Sequence, residues 1–406
     1  MTEKYELKLL MVSTEYPPMK GGVGRYTYNL VNAMKGIGID THVVSGEEGN
    51  GDYKGLSPYN KNNSDLLLKI VNESQPDIVH IQMEHGLYGL NFRSLFPGKI
   101  TTSLDSFYSR CPKPIVTTFH SAYDFQEWLN LDPNLQGTGY LEKIKWKIKK
   151  LRNYWIRSVN YEPFNKLNEQ IFKHSKAGIV FSNYLCNFIP GCKVIYHGSD
   201  PAIPEKITKQ FARKKLHLPD NGRIALSLGF FTFTKGWDII NEIDIPKNWT
   251  IVLNHSKNHF SKQEYNLDFS KSKNRDRIMN LNRDYLSEDE MSLLLYASDI
   301  VFLPYRVSSG SGVMFDGFGH DLPFLASNLG FFKEFEDLHL GMTMEGKPEE
   351  FTKGLEVIDR NYDMYLSNVI KFKEKLRWCD IAIQHVNIYK SFVERRKNIS
   401  KEILIK

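Results

Sequence analysis

Short apolar runs alternate with longer amphipathic stretches along the whole chain. Each run is bounded by glycine, proline or polar residues, and its length suits a buried β-strand better than a helix. Apolar runs separated by helix-length segments are typical of parallel sheets whose strands are joined by crossover helices. In the first half the predicted strands cover residues 8–14, 41–46, 77–82, 114–119, 177–182 and 193–198.

A second series of such runs follows the polar stretch DPAIPEK at 200–206, whose two prolines and lack of apolar period favour a linker. The pattern therefore predicts an α/β protein with two doubly wound domains and a hinge near residue 200. Ligands of such sheets bind beyond the carboxyl ends of the strands, so we expect the active site in a cleft between the domains. The second series covers residues 223–229, 250–255, 276–282, 299–305 and 323–328.

Composition narrows the class of protein. The 406 residues are 41% hydrophobic and 25% charged, as in a soluble globular protein, and the net charge of +6 does not by itself indicate nucleic acid. The apolar run near the N-terminus is too short for a signal sequence, and no run reaches the roughly 18 residues of a spanning helix. The four cysteines form no CxxC pair, so we expect buried free thiols in the cytoplasm, with neither a disulfide nor a metal site.

The first candidate site is the segment PPMKGGVGRYTYNLVNAM that follows the first predicted strand. Gly21, Gly22 and Gly24 allow a tight turn and close approach to a ligand before a helix begins near Arg25. The exposed amides of that helix start would attract a diphosphate or carboxylate. Two alternatives remain open: a purely structural turn, and a dinucleotide site, although Thr27 stands where the dinucleotide fingerprint has its third glycine.

Histidines follow two strands of the first half. His120 comes directly after the run 114–119, so it should emerge at the carboxyl edge of the sheet, where a neutral imidazole can bond a sugar hydroxyl. Glu84 and His85 occupy the equivalent place after the run 77–82. A satisfied structural histidine is the alternative in each case.

The third candidate is LSLGFFTFTKGWDII in the second half. Gly229 ends a strand, and Lys235 with Gly236 opens the next helix. A lysine at a helix N-terminus is unfavourable unless an anion is present, because the helix dipole is already positive there. The pattern favours contact with a phosphate, against the alternative of a solvated lysine.

The fourth candidate is LPYRVSSGSGVMFDGFGHDLPFLAS. Residues 308–312 predict a small polar loop whose amides and hydroxyls could cradle phosphates. Asp316 lies one turn into the helix that follows. The helix dipole alone would favour a carboxylate there, but Asp316 could also accept two hydrogen bonds from a ribose diol.

These stretches, in this order, resemble the retaining glycosyltransferases of family 4, which have the GT-B fold. The resemblance covers nearly the whole chain and implies an N-terminal Rossmann-like acceptor domain (1–200), a C-terminal Rossmann-like donor domain (201–379) and a helix (380–406) that returns to the first domain. It rests on GGVGRYTYNL, DIVHIQMEHGLYG, VTTFH, VIYHGSD, the Lys235–Gly236 pair, LSEDEMSLLLYASDIVFLPY, SGVMFDGFGHDLPFLAS and RWCDIAIQHVNIYKSF.

The resemblance also implies roles for single residues. His120 would touch the transferred sugar near the reacting carbon, Lys235 would neutralise the leaving diphosphate, and Asp316 would bind the ribose. The remaining implied contacts are Gly22, Val23 and Gly24 to the diphosphate and sugar, Ser311, Gly312 and Val313 to the phosphates or sugar, and Tyr285 and Leu286 to the base.

The implied activity is that of a hexosyltransferase-type glycosyltransferase that moves a sugar from a nucleotide diphosphate sugar to a hydroxyl of a glycan, a lipid-linked acceptor or a small molecule. Positive charge and oriented amides can stabilise the departing diphosphate, so no metal and no cofactor beyond the donor is expected. Two alternatives stay open. One is a non-catalytic partner subunit with an eroded donor site, and the other is a nucleotide-sugar epimerase or hydrolase on the same fold.

Several positions depart from the family pattern. The family usually has a glutamate, seven residues and a second glutamate, where this chain has Ser308 and Asp316. The family commonly has an arginine before the lysine, either directly after the glycine or three places on, and these two positions are Phe230 and Thr232 here. The glycine that the family usually has before the proline of the loop–helix segment is Asp321 here. The lost positive charge would have to come from elsewhere, for which the sequence offers Arg25 or Arg306.

A basic helix is predicted at residues 143–157, which hold seven lysines or arginines and no acid. An apolar stripe at Ile144, Ile148, Leu151, Trp155 and Val159 predicts a core-facing side. Lys145, Lys149, Lys150 and Arg157 lie around the other side together with Trp146. Because a solvated face does not explain an indole, the helix is also expected to dock on an anionic membrane, holding the protein peripherally on the inner face.

Overall fold

The computed structural model describes residues 7–91, 95–131, 140–203, 207–257 and 267–404. The side chains of residues 140–146, Lys271 and residues 394–404 are outside this description. The chain divides into two compact units. The first comprises Met1–Phe125, Ile148–Gly198 and Trp378–Lys406, and the second comprises Gln126–Lys147 and Ser199–Arg377.

A seven-stranded sheet forms the centre of the first unit, and its paired strands are all parallel. Its strands are β1 (Lys8–Val12), β2 (Asp40–Gly46), β3 (Tyr53–Leu56), β4 (Ile78–Met83), β5 (Ile115–Phe119), β6 (Ala177–Val180) and β7 (Lys193–Val194). Their order across the sheet is β3-β2-β1-β4-β5-β6-β7. The strands β4 and β5 are buried along their whole length, as expected of a sheet covered by helices on both faces.

A six-stranded parallel sheet forms the centre of the second unit. Its strands are β8 (Arg223–Phe230), β9 (Trp249–Ser256), β10 (Ile278–Asn280), β11 (Ile300–Leu303), β12 (Phe324–Ser327) and β13 (Gly341–Met344). The order is β10-β9-β8-β11-β12-β13. On one face of the sheet, Trp237 and Trp249 are fully buried in an apolar core together with Phe302 and Phe351.

Helices connect the strands in both units. Those described are α1 (Gly22–Gly36), α2 (Asn63–Ser74), α3 (Asp105–Arg110), α4 (Phe125–Asn130), α5 (Tyr140–His174), α6 (Asn183–Cys186), α7 (Lys209–Leu216), α8 (Trp237–Glu242), α9 (Glu288–Ala297), α10 (Gly312–Gly319), α11 (Gly330–Asp337), α12 (Pro348–Arg360), α13 (Tyr362–Lys373) and α14 (Trp378–Leu404). Short 3-10 turns occupy His85–Tyr88, Phe233–Lys235, Phe269–Lys271 and Arg275–Arg277.

The two sheets share one topology, and the predicted fold class of two Rossmann-like doubly wound sheets is confirmed. In each sheet the direction of winding reverses between two neighbouring strands, β1 and β4 in the first and β8 and β11 in the second. Ligands of doubly wound sheets bind where the loops after such strands diverge. The segments after β1, β4, β8 and β11 are therefore the places to look for a site.

Two strands were missed by the sequence prediction. Both β3 and β13 are short edge strands, which bury fewer side chains than central ones and so carry a weaker apolar pattern. Gly55 in β3 has a φ of +114° beside a register shift against β2, so this strand also lacks a regular alternation.

Helix α14 returns to the first unit, as the resemblance implied. It packs on α1, where the Tyr26 hydroxyl lies 3.5 Å from Nε2 of His385. On β4, Nδ1 of His80 lies 2.6 Å from the Tyr389 hydroxyl. The core of the first unit therefore includes side chains from a helix distant in sequence.

The basic helix differs from its prediction. Ile148, Leu151 and Trp155 were expected on a core-facing side, but they are 63%, 71% and 57% exposed, so that expectation was wrong. Tyr154, on the same side, is also exposed. The side chain of Trp146, on which the expectation of membrane docking partly rested, lies outside the described part of the helix.

The four cysteines are free thiols, and three of them are half-buried. Cys379 is exposed, so the expectation of a buried thiol was wrong at this position. No helix in the described part of the chain is both long enough and apolar enough to cross a membrane.

Candidate active site

The glycine-rich turn after β1 packs against a carboxyl group of the protein itself, that of Glu15. Helix α1 begins at Gly22, three residues earlier than predicted, and Gly21 is its N-cap residue with an extended backbone. The amide of Gly24 donates to Oε2 of Glu15 at 3.3 Å, and a methyl group at Gly21 would lie 2.0 Å from the same oxygen. The buried Glu15 carboxylate therefore accepts from amides that were predicted to meet a ligand.

Burial raises the pKa of Glu15 from its usual value of 4.5 to about 7, and hydrogen bonds from the Gly24 and Val23 amides oppose this rise. The nearby Glu84, at the end of β4, raises it further. Gly22, in contrast, has open space beside its α-carbon, because a methyl group there would have no other atom within 4 Å. Of the predicted glycines, Gly22 thus leaves room for a ligand.

His120 directly follows β5, where its amide donates to the carbonyl of Met83 at 2.8 Å. Its ring meets the edge of the Tyr26 ring of α1 at a centroid distance of 5.2 Å. Phe181 packs on both rings, and His197 packs on Tyr26. The structure thus brings His120 and the glycine-rich helix start of α1 together within the first unit.

A chain of hydrogen bonds leads from His120 into the core. Nε2 of His120 lies 2.8 Å from Oε1 of Gln82, and the Gln82 amide nitrogen lies 3.4 Å from Nε2 of His80. His80 in turn contacts the hydroxyls of Thr118 and Tyr389, at 2.8 and 2.6 Å. The chain therefore ends on α14.

This series of hydrogen bonds determines which ring nitrogen carries the proton in His120 and in His80. Because the Gln82 carbonyl oxygen can only accept, Nε2 of His120 must carry the proton, and Nδ1 keeps its lone pair. The same logic makes Nε2 of His80 an acceptor and Nδ1 of His80 the donor to Tyr389. Desolvation, with a smaller effect of His197, lowers the pKa of His120 to about 3, so the ring is neutral at physiological pH.

Glu84 and His85, the pair after β4, lie in different environments. His85 is buried against Phe164, and its Nδ1 lies 2.9 Å from the Ser121 hydroxyl, so its ring belongs to the core. Burial lowers the pKa of His85 to about 4. Glu84 is half-buried, and burial raises its pKa against hydrogen bonds from Ser121 and the Gly86 amide.

In the second unit, Lys235 ends a 3-10 turn just before α8, whose N-cap is Gly236. Its ammonium lies 3.6 Å from the centre of the Tyr305 ring. Gly236 has a φ of +68°, and a methyl group there would lie 1.8 Å from the Pro304 carbonyl oxygen, so glycine is required. Among the described residues, no carboxylate forms an ion pair with Lys235.

The loop after β11 lies against this turn. The Arg306 amide donates to the Thr234 carbonyl at 2.8 Å, and Tyr305 lies under Lys235. The third and fourth candidate stretches of the sequence thus meet at the carboxyl ends of the neighbouring strands β8 and β11.

Arg306 does not offer a second cation for a ligand. Its guanidinium forms two bonds to the Asp238 carboxylate, at 2.7 and 2.6 Å, and lies over the Phe233 ring. The suggestion that Arg306 replaces the family's arginine was therefore wrong, because Asp238 neutralises its charge.

The residues predicted for the nucleotide base lie near the end of β8. Tyr285 and Leu286 precede Ser287, the N-cap of α9, and both are half-buried. The Tyr285 ring is 6.3 Å from the ring of Phe230. Phe230, which stands where the family has an arginine, thus lies beside Tyr285, which was predicted to lie near the base.

Helix α10 begins at Gly312, and Ser311 is its N-cap, with Oγ accepting from the Met314 amide at 3.3 Å. Gly312 and Val313 are half-buried in the first turn. Asp316 lies one turn into the helix, at the place that the sequence predicted, and its side chain is buried.

Two carboxylates near these sites were missed by the sequence prediction, and both are buried. Glu15 was considered only as an interruption of an apolar run. Glu127 of α4 accepts from the Ser308 amide at 3.0 Å, although the two residues are 181 positions apart. Within the described part of the chain, no group of three or more His, Cys, Asp or Glu side chains is arranged to hold a metal ion.

Comparison with known proteins finds a family model that matches part of the first half of the chain. Residues 20–187 match the model of Glycosyltransferase Family 4. A search of curated proteins finds no match to this chain.

Solved structures match the chain along nearly its whole length. Sucrose-phosphate synthase from Thermosynechococcus elongatus aligns over 96% of this chain and 100% of its own, with 12% identity and a TM-score of 0.65. A glycosyltransferase from Rickettsia africae aligns over 96% and 99%, with 15% identity and a TM-score of 0.62. HepE from Anabaena in complex with UDP aligns over 95% and 100%, with 13% identity and a TM-score of 0.63.

The fold is thus shared with glycosyltransferases over both units, whereas the family model matches the first half. Both findings bear out the resemblance seen in the sequence: the chain has the GT-B fold of these glycosyltransferases, and its residues 20–187 match the family 4 model.

Proposed function

We propose that the protein transfers a sugar from a nucleotide diphosphate sugar to an acceptor hydroxyl, with retention of anomeric configuration and without a metal ion. The observation that carries the proposal is the meeting of the Lys235 turn with the 304–312 loop at the ends of β8 and β11. A lysine without a described carboxylate partner and the start of α10 suit the negative charge of a diphosphate.

The proposed roles follow from this arrangement. Lys235 stabilises the leaving diphosphate, and the amides of Gly312 and Val313 bond its oxygens or those of the sugar. Ser311 shapes the helix start, Asp316 binds the ribose, and the base lies near Tyr285 and Leu286. HepE from Anabaena has been solved with UDP and with UDP-glucose, which makes uridine donors the first to test.

In the first unit, we assign the transferred sugar to His120 and to the open side of Gly22, with Val23 and Gly24 in the same turn. A neutral imidazole just beyond the end of a strand is suited to a hydrogen bond with a sugar hydroxyl. Since Glu15 already bonds the Gly24 amide, the diphosphate falls to the second unit's loops rather than to these glycines.

For retention, the acceptor hydroxyl attacks on the face from which the diphosphate leaves, and its proton passes to a diphosphate oxygen. This route uses no protein nucleophile.

The experiment is a panel of radiolabelled nucleotide sugars, UDP-glucose first, incubated with a lipid extract and with soluble glycans, with and without EDTA. Transfer of label with retained configuration by NMR, unaffected by EDTA, supports the proposal. Binding without transfer or hydrolysis would instead favour a non-catalytic partner subunit, and loss of activity in EDTA would refute the metal-free route. Failure to bind any nucleotide sugar would refute the proposal as a whole.

Replacing Lys235 tests the diphosphate site directly. Lys235→Ala should weaken UDP binding by roughly tenfold to a hundredfold, because a hydrogen bond to a charged group contributes about 1.5–3 kcal/mol. The matched control is Lys247→Ala, an exposed lysine of the same unit. Calorimetric titration with UDP measures both, and equal affinities for the two variants would contradict the assignment.

We also propose that the exposed side of α5 docks on an anionic membrane, where a lipid-linked acceptor would be reached on the inner face. Ile148, Leu151, Tyr154 and Trp155 project on one side of the helix, and the Trp155 indole donates to the Leu95 carbonyl at 2.9 Å. Phe96, beside Leu95, is 76% exposed and enlarges the apolar patch.

Charge supports this choice of partner. Lys147, Lys149, Lys150 and Arg152 are exposed on the same stretch of helix, and no acid occurs between Glu142 and Glu162. Each basic residue near an anionic surface contributes about 1 kcal/mol, and burying a large apolar side chain contributes about 1.5–3 kcal/mol. The combination suits a helix lying in the plane of the interface.

Sedimentation with vesicles tests the docking. We expect binding to vesicles that contain phosphatidylglycerol, weaker binding to pure phosphatidylcholine, and a loss of binding at high salt. Leu151→Glu should reduce binding by about tenfold or more, since a charge replaces a buried apolar group. The control Ile370→Glu changes an exposed isoleucine of α13 and should have no effect. Equal binding of both variants, or no binding at low salt, would refute the proposal.

A further inference from the structure

Lys235 and Arg306, two cations at the ends of β8 and β11, are held in different ways. The Arg306 guanidinium is paired with the Asp238 carboxylate at 2.6 Å, which neutralises its charge. The Lys235 ammonium lies 3.6 Å from the centre of the Tyr305 ring, and no carboxylate in the described part of the chain pairs with it. Lys235 is therefore held by a neutral group, and its positive charge is not matched by a partner.

The Tyr305 ring forms a fixed support for this lysine. The residue follows β11 closely, and its amide donates to the Leu303 carbonyl at 2.7 Å. Its side chain is only 1% exposed, and the Phe332 ring of α11 packs against it at a centroid distance of 5.7 Å. A side chain enclosed in this way has little freedom left to lose when a ligand binds.

The stem of Lys235 is also placed by its surroundings. A methyl group at Gly229, near the end of β8, would lie 3.7 Å from Cε and 3.9 Å from Cδ of Lys235, so the stem passes beside this glycine. Lys235 itself is half-buried, whereas the Tyr305 ring is almost completely buried. The lysine is therefore partly accessible from solvent, while the ring that supports it is not.

An aromatic face is well suited to hold a cation that has to bind an anion. The quadrupole of the ring attracts an ammonium group, although the ring carries no formal charge. A carboxylate in the same place would also attract the lysine, but it would neutralise the ammonium and repel a diphosphate. The ring can therefore place the lysine without weakening its attraction for a ligand.

We infer that Tyr305 is a positioning residue, whose ring holds the Lys235 ammonium at the place where the donor's diphosphate binds, in the free protein and with the donor bound. The inference rests on the proposed function, because it requires a nucleotide diphosphate beside Lys235. Phe230 and Thr232 stand where the family commonly has an arginine, so the placing of Lys235 matters more in this chain.

The Tyr305 hydroxyl has no share in this role. It is buried, and it has no hydrogen-bond partner among the residues that the structure describes. Phenylalanine keeps the ring face and removes only this hydroxyl, and removing a buried polar group that lacks a partner is nearly neutral or stabilising. Tyr305→Phe should therefore behave like the unchanged protein.

The test compares Tyr305→Phe, Tyr305→Met, Lys235→Ala and the double variant Tyr305→Met with Lys235→Ala. Methionine fills apolar space without offering an aromatic face. The matched control is Tyr362→Met, which removes a ring whose centre lies 3.8 Å from the guanidinium carbon of Arg223. Arg223 begins β8, so the control lies at the amino ends of the strands of the same sheet. Calorimetry measures the affinity for UDP, and thermal unfolding reports whether each variant is folded.

Tyr305→Met should weaken UDP binding by about threefold to thirtyfold, the range that corresponds to one cation–π contact. In the Lys235→Ala background the same change should have no further effect, because the cation that the ring holds is already gone. Tyr305→Phe and the control Tyr362→Met should bind UDP like the unchanged protein.

A second measurement does not depend on the folding of a Tyr305 variant. The lysines of the unchanged protein are reductively methylated with isotopically labelled formaldehyde and observed by NMR. The signal that is missing from Lys235→Ala belongs to Lys235, and the ring current of Tyr305 should shift it upfield, both in the free protein and with UDP bound. A Lys235 signal without this shift in either state contradicts the inference, even if Tyr305→Met does not fold.

UDP affinity of folded Tyr305→Met that equals or exceeds that of the unchanged protein overturns the inference and leaves the proposed function intact. An equal loss of affinity in both backgrounds would place Tyr305 in the support of the loop and overturn it as well. A loss in Tyr305→Phe as large as that in Tyr305→Met would assign the effect to the hydroxyl, again against the inference. If the unchanged protein binds neither UDP nor any donor of the panel, the proposed function fails and this inference fails with it.

Discussion

Replacing Glu15 by glutamine should make the stability of the protein less sensitive to alkaline pH. The Glu15 carboxyl is buried beneath the start of α1, and burial raises its pKa from 4.5 to about 7. The folded state therefore binds this proton more tightly than the unfolded state does. The stabilisation is present below the unfolded pKa and is lost as the pH rises through about 7, where the buried group must ionise.

The size of the effect follows from the shift. A rise from 4.5 to about 7 corresponds to about 3 kcal/mol between the two protonation states. About 1 kcal/mol of this is lost by pH 5.5, and about 2 kcal/mol more is lost between pH 5.5 and pH 8. Glutamine has nearly the same shape and can still accept from the Gly24 amide, but it does not ionise.

The assay is urea unfolding of the unchanged protein and of Glu15→Gln at both pH values, followed by tryptophan fluorescence. We expect the free energy of unfolding of Glu15→Gln, relative to the unchanged protein, to rise by about 2 kcal/mol from pH 5.5 to pH 8. Glu73→Gln, at an exposed glutamate of α2, should show no such change. A relative stability of Glu15→Gln that is the same at both pH values would refute the reasoning.

Two further predictions concern the first unit. Tyr389→Phe should lower turnover by about fivefold to tenfold with little change in donor KM, because it removes the last hydrogen bond of the series that orients His120. The control is Tyr108→Phe, which loses a comparable hydrogen bond to Thr117 and should be destabilised similarly but keep its turnover. Equal turnover of the two variants would contradict the role of this series of hydrogen bonds. Gly21→Ala should lower the free energy of unfolding by about 1–3 kcal/mol in thermal or urea unfolding, because its methyl group would collide with Glu15. Gly22→Ala should fold normally and bind UDP-glucose more weakly than the unchanged protein. An unchanged affinity for UDP-glucose would remove Gly22 from the sugar site.

The architecture could be read from the sequence because parallel sheets bury their strands on both faces. Runs such as those that form β6 and β11 are apolar throughout, so they can be recognised in the sequence without knowledge of the strands that they pair with. The position of His120 and of Lys235 followed from the same pattern, since ligands of these sheets lie just beyond strand ends. The edge strands β3 and β13 lacked that signal.

The errors and omissions have one physical cause, which is that local pattern does not specify long-range partners. The stripe through Leu151 has the period of a buried helix face, but Ile148, Leu151 and Trp155 are not covered by any element in the described part of the chain. Nothing near Glu127 in the sequence indicates Ser308, and nothing near Arg306 indicates that Asp238 would neutralise it. In the sequence, Glu15 only marks the polar end of an apolar run. Its contacts with Gly21 and Gly24 form when the glycine-rich turn packs against it.

The return of α14 to the first unit bears on the order of folding during synthesis. The ribosome releases residues 199–377 of the second unit before Tyr389 and His385, which complete the core around His80 and Tyr26. Although domains usually fold from the N-terminal end as they emerge, the second unit can here finish first. We expect a chain truncated after residue 377 to protect the second unit from protease while the first remains sensitive. Equal protection of both units at that length would contradict this order.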